Sequence, residues 1–249
     1  MSLRQEAQAL AAEFDARLRE ATDLERKEFT QGYFPSALEN LGVAVPIVRR
    51  LVRELKKRTK GEPPELVLGV ARAIVGQGTL EGRNLAYLFL NERADALALL
   101  GARELEALGQ GMDNWTSVDT FACFVAGPVW REGGVGDRRI ERWSGSSDRW
   151  WRRAALVATV ALNLPSRGGS GDTKRTLAVC ERHVLDHDDM VVKGLSWALR
   201  SLIGHDAEAV VTFLSRHEEE LARRCVREVQ SKLVTGLKTA SAAARRRKA

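Results

Sequence analysis

Apolar residues along this chain recur at every third or fourth position, the spacing of one face of an α-helix, and runs of β-branched residues are brief. Leu10, Phe14 and Leu18, with Ala7 and Ala11 between them, predict an amphipathic helix from Leu3 to Glu20. Thr22-Asp23 then caps a second helix, which fades around Tyr33-Phe34-Pro35. A third runs from Pro46 to Thr59 and starts on a proline, where the missing N–H costs nothing. It turns Ile47, Leu51 and Leu55 inward and Arg49, Arg53, Lys56, Lys57 and Lys60 outward, a basic stripe that as a bare pattern is most often a solvated face.

Gly61-Glu62-Pro63-Pro64 breaks and restarts the chain, and Leu66, Val70 and Ile74 mark a fourth helix. Further helices are predicted around Leu80 to Leu90 and Asn91 to Ala107. The stretch that organises the rest begins at Asp113-Asn114-Trp115 and runs to about Val129, with Val118, Phe121, Ala122, Val125 and Val129 on one apolar stripe. Gly127-Pro128 and the loop from Glu132 to Gly136 close it, and a short helix through Ile140 and Trp143 follows. Helices are then expected at Arg149 to Leu162, Asp172 to Leu185, Met190 to Leu202, Ala207 to His217 and Glu219 to Lys232, the third of these capped by Asp188-Asp189.

With no convincing strand, the fold class is all-α. Modest helices joined by short turns and paired at roughly 35 to 45 residues have the rhythm of a HEAT-like solenoid. On that reading residues 1–238 form a single domain and residues 239–249 a basic tail ending Arg245-Arg246-Arg247-Lys248. A curved stack of helix pairs would line its cations along a concave groove.

Composition narrows the function classes. Apolar residues at 44% and charged residues at 29% of 249 suit a soluble globular protein and are too apolar for a disordered one. No apolar run reaches membrane-spanning length, and the first residues lack a signal-peptide pattern, so a cytoplasmic protein is expected. Cys123, Cys180 and Cys225 lack metal-ligand spacing and sit in apolar helix pattern, which predicts buried, reduced thiols. A net charge of +6 with a pI of about 9.5 favours a polyanionic partner, nucleic acid or an acidic membrane surface, without choosing between them.

Three stretches could carry chemistry. Trp115 and Asp119, four apart, share a ledge beside the apolar stripe. Spacing alone leaves this open between a tryptophan packed under a solvated carboxylate and a functional pair. On the helix from Met190 to Leu202, Lys193, Trp197 and Arg200 oppose the apolar positions, either as an aromatic ledge in a phosphate-gripping surface or as a ring covered by a neighbouring repeat. Arg149, Arg152 and Arg153 occupy the first turns of their helix, whose N-terminal amides already favour an anion, while Trp150 and Trp151 read as core. His183 and His187 have zinc-like spacing without a third ligand, and the glycine-rich loops lack the Gly-Lys-Ser/Thr ending of a nucleotide-binding loop.

Taken in order, Leu41-Gly42-Val43 with Pro46 and Arg49-Arg50, Trp115-Thr116-Ser117-Val118-Asp119, Trp150-Trp151-Arg152-Arg153-Ala154-Ala155 and Lys193-Gly194-Leu195-Ser196-Trp197-Ala198-Leu199-Arg200 resemble the alkylpurine DNA glycosylases of the AlkD type, a HEAT-like superfamily. The resemblance spans about Leu41 to Leu233. It implies a catalytic carboxylate at Asp119, active-site tryptophans at Trp115 and Trp197, and phosphate contacts at Arg153 and Arg200. It further implies excision of N3- and N7-alkylated purines from double-stranded DNA, by a monomer without metal or other cofactor. The chain departs from the pattern in its long N-terminal segment, in Thr116 where an acidic residue is common, in two glycine-rich insertions and in the basic tail. The competing classes are a non-catalytic DNA-binding scaffold and a protein-binding adaptor on the same helical stack.

Overall fold

The computed structural model describes residues 2–239, so the basic run at Arg245 to Lys248 lies outside the described residues. Every regular element among them is helical, apart from one isolated bridge between Glu39 and Thr79, and the fold is all-α and repeat-like. No helix among the described residues is long and apolar enough to cross a membrane. The chain divides into two compact units, the first ending at Val135 and the second beginning at Gly136.

In the first unit, α1 (Leu3–Glu20) is capped by Ser2 and Gln5 and buries Leu10, Phe14 and Leu18 as its spacing predicts. α2 (Leu24–Tyr33) starts on the Asp23 cap, α3 (Val45–Arg58) starts one residue before the expected Pro46, which takes its second position, and α4 (Pro64–Gly76) starts on a proline. Ile47 is only half-buried, and Val48 with Val52 fills the core beside Leu51 and Leu55. α5 (Leu80–Asn91) is buried on nearly all sides, packing against α3 and α4. The helix expected from Asn91 to Ala107 is two pieces, α6 (Ala94–Leu97) and α7 (Ala102–Gly109). Gly101 separates them, its N-cap backbone extended; glycine loses more conformational freedom than other residues in helix interiors and is tolerated at such caps.

Leu41-Gly42-Val43 is held by a buried carboxylate. Glu81 accepts hydrogen bonds from the Leu41 and Val43 amides at 3.0 and 3.1 Å. Between them Gly42 has φ +73°, and a Cβ there would lie 2.3 Å from the Asp23 carbonyl oxygen, so glycine is required twice over.

The central helix does not stop at Gly127-Pro128. α8 (Trp115–Phe121) passes through a π-helical stretch (Ala122–Ala126) into α9 (Gly127–Arg131) without leaving helical backbone. In a regular α-helix the Pro128 ring would collide with the carbonyl four residues back. Here the turn is widened: the Gly127 amide donates to the Ala122 carbonyl, five residues back. The proline is absorbed by one wide turn instead of ending the helix, and Val118, Phe121, Ala122, Val125 and Val129 are all buried.

In the second unit, α10 (Asp137–Ser144) packs on α11 (Arg149–Ala158), which a single turn at Thr159 separates from α12 (Val160–Asn163). α13 (Thr173–Glu181) is shorter than predicted, and Leu185, expected at its end, is exposed. α14 (Asp189–Leu202) is the spine of this unit, in contact with α11, α13 and α16 (Arg223–Thr235), which starts four residues later than expected; α15 (Ala207–Arg216) lies between them in the chain. The three cysteines are buried, and burial pushes the Cys225 thiol up to about 12 and raises Cys180 as well, so both stay protonated at neutral pH.

Candidate functional site

In the first unit the start of α8 is fixed by its own side chains. Asn114 is the buried N-cap, accepting from the Ser117 amide at 2.9 Å and from the Ser117 hydroxyl at 3.1 Å. Phe121, one turn beyond Ser117, is buried against Tyr87 of α5, whose hydroxyl donates to the Leu108 carbonyl at 2.7 Å. Trp115 and Asp119 remain partly exposed on the same side of a helix clamped at both ends, so the carboxylate sits one turn from the indole on a rigid base.

Sequence pattern did not bring α2 to this place. The Tyr33 and Phe34 rings meet Trp115 edge-on, at 6.0 and 5.7 Å between centroids, and Phe29 stacks on Tyr33 at 6.2 Å. Phe29 and Tyr33 are 71% and 65% exposed, so an aromatic strip continues from Trp115 out onto the surface. The only hint in the sequence was the aromatic cluster at the fading end of a helix, which by itself reads as a helix terminus.

Asp113 ties that segment down. Its carboxylate accepts from the Ser36 hydroxyl at 2.6 Å, from the Ala37 amide at 2.5 Å and from the Asn114 side-chain amide at 3.0 Å. Burial alone would raise this carboxyl; the hydrogen bonds outweigh it and hold the group below the usual carboxylate value. A depressed folded value means the stabilisation is present above the unfolded pKa, about 3.9, and is lost as pH falls through the folded one. Asp113→Asn is therefore expected to loosen the 34–38 segment at neutral pH, by roughly 1–3 kcal/mol of local stability. Faster hydrogen exchange at Ala37 in the variant checks this; unchanged exchange would remove the latch.

In the second unit, α11 brings its arginines against α14. Arg153 is buried and donates to the Met190 carbonyl at 2.5 Å. Arg152 pairs with Asp186 at 2.8 Å and donates to the carbonyls of Ser146 and Ser147 at 3.1 and 2.9 Å. Arg149 is exposed, lies over the Trp150 ring at 5.3 Å and reaches Asp188 at 3.3 Å. Trp150 and Trp151, expected in the core, are only partly buried; Trp151 packs on the buried Trp143 at 4.9 Å.

Along α14, Val191, Val192, Leu195, Ala198, Leu199 and Leu202 are buried, and Lys193, Trp197 and Arg200 form a partly exposed opposite side. Lys193 pairs with Asp189 at 2.6 Å. The Arg200 Nε donates to Ser196 at 3.1 Å, and the Ser196 hydroxyl donates at 2.7 Å to Glu228, a buried carboxylate that also takes Arg224 at 3.0 Å. Burial lowers the Arg200 pKa from its ordinary value, and the field of Glu228 works against that. Each of these five cations thus already has a carboxylate, carbonyl or hydroxyl partner, a commitment that helical spacing does not reveal.

Among the described residues no three His, Cys, Asp or Glu side chains gather as metal ligands. His183 is buried beside Asp186, and burial brings its imidazole down to about 4, so it is neutral at physiological pH. A family model described as DNA alkylation repair enzyme matches residues 14–233. No curated protein matches the chain.

Proposed function

Because the chain belongs to the DNA alkylation repair enzyme family, matched across both units, we propose that it is a DNA glycosylase that excises N3- and N7-alkylated purines from duplex DNA. The observation that carries this reading is the carboxylate of Asp119 set one turn from Trp115 on a clamped helix start. The HEAT-like character and the roles of Trp115, Asp119 and Trp197 belong to this proposal, and they rest on the motif resemblance together with that local geometry.

The chemistry asked of the site is modest. An alkylated purine carries a positive charge and leaves with the electron pair of the glycosidic bond as a neutral base, so no general acid is required. The sugar becomes oxocarbenium-like, and a carboxylate beside C1′ stabilises that charge and orients the water that adds there, releasing one proton. The indole faces of Trp115 and Trp197 favour the same cation through their ring quadrupoles. Arg149, Arg152, Arg153, Lys193 and Arg200 position DNA phosphates or the side chains that do.

Incubation with duplex DNA containing a single N7-methylguanine is expected to release the free base and leave an abasic site, without added metal. Tight binding of that duplex with no base released would favour a non-catalytic DNA-binding protein instead.

A further inference from the structure

The chemistry proposed above makes no use of Glu228, a carboxylate of the second unit that lies behind Arg200. Glu228 is 4% exposed, on α16 where that helix packs against α14. The Ser196 hydroxyl reaches it at 2.7 Å, the Arg224 Nε at 3.0 Å and the Lys238 Nζ at 3.5 Å. Burial raises this carboxyl, but the hydrogen bonds from Ser196 and Arg224 and the charges of Lys238 and Arg224 outweigh it. The group is held below its ordinary value and is ionised at neutral pH.

Packing does not account for a charge at this place. A buried ion pair replaced by apolar residues of similar volume is often neutral or stabilising, so a close contact of α14 with α16 does not require a carboxylate. What a carboxylate adds is direction. It accepts hydrogen bonds and donates none, so the Ser196 proton points at Glu228 and the lone pairs of the Ser196 oxygen are left for another donor. That donor is the Arg200 Nε, at 3.1 Å and one turn further along α14. Arg149, Arg152 and Lys193 each face a carboxylate directly, at 3.3, 2.8 and 2.6 Å. Arg200 instead meets a neutral oxygen through its inner nitrogen, and among the described residues no hydrogen bond or ion pair engages its terminal nitrogens. The guanidinium is thus held from behind and partly exposed, with the N–H groups that grip a phosphate in parallel left uncommitted.

We infer that Glu228 is a positioning residue for Arg200, acting through Ser196, and sets the guanidinium in place before a DNA phosphate arrives. This rests on the DNA-directed reading above, with Arg200 as a phosphate contact, but not on glycosylase chemistry. Ser196 and Glu228 are both buried and touch no DNA themselves. Their contribution is that the contact forms without first immobilising a long side chain.

The test is a double-mutant cycle, read as affinity for an undamaged duplex by fluorescence anisotropy at one salt concentration, with a melting curve for each variant. Ser196→Ala removes the relay and leaves Glu228 its partners Arg224 and Lys238. Glu228→Gln keeps the shape of the side chain and removes its charge. Each is expected to weaken binding about two- to tenfold, the scale of ordering one long side chain on association, and Arg200→Ala by at least as much. In an Arg200→Ala background neither is expected to weaken binding further, since no guanidinium is left to position. A purely structural role for the pair would give the same loss in both backgrounds, and that outcome overturns the inference. So does wild-type affinity in Ser196→Ala, the variant that decides the matter if Glu228→Gln does not fold. Wild-type affinity in Arg200→Ala would instead remove Arg200 from DNA contact and overturn that part of the DNA-directed reading, and this inference with it.

Discussion

Asp119→Asn is expected to slow release of N7-methylguanine by roughly two to three orders of magnitude, the scale of removing one preorganised electrostatic stabiliser from a developing charge. The asparagine keeps the volume and much of the hydrogen-bonding shape of the carboxylate but not its charge, and the start of α8 is held by Asn114, Ser117 and Phe121. Folding and duplex affinity should therefore survive while the rate falls. Single-turnover excision on a duplex with one lesion, beside a melting curve and a binding isotherm, separates the two. Release at the wild-type rate would make Asp119 a surface carboxylate and leave the proposed mechanism without its central group.

The second large effect is expected at Trp197. A core tryptophan replaced by alanine opens a cavity and costs roughly 3–5 kcal/mol. Trp197 lies on the side of α14 opposite its buried stripe, between Lys193 and Arg200, and is partly exposed. Its loss should cost less than a core ring, about 1–3 kcal/mol, because solvent fills part of the space. If the ring faces the sugar cation, the cation–π contribution of about 0.5–2 kcal/mol corresponds to a rate lower by about two- to thirtyfold. Denaturant melts and single-turnover excision on the same variant give both numbers. A stability loss in the core range, with normal excision by the folded fraction, would assign Trp197 to packing.

Which parts of this could be read from the chain follows from the range of the forces involved. Helix faces depend on residues three and four apart, so the buried stripes of α1, α8 and α14 were legible, as were the caps at Asp23 and Asp188. The one-turn spacing of Trp115 and Asp119 is equally local, and α8 contains both residues as the pattern implies. Local rules also mark proline as a stop, and there they failed: the widened turn at Ala122–Ala126 carries the helix past Pro128, held by the packing of Val125 and Val129 in the core.

What only the tertiary structure decided are contacts between residues far apart in sequence. Seventy-odd positions separate Ser36 from Asp113, and their hydrogen bond brings Tyr33 and Phe34 onto Trp115. The same holds for charge. Sequence counts Arg152, Arg153 and Arg200 as free cations, and the fold commits them to Asp186, to the Met190 carbonyl and to the Ser196–Glu228 pair, while among the described residues no side-chain hydrogen bond or ion pair engages Arg49 or Lys57. A side chain's charge is written in its residue type; whether that charge is still available for a ligand depends on which distant carboxylate or carbonyl folding places within about 3 Å of it.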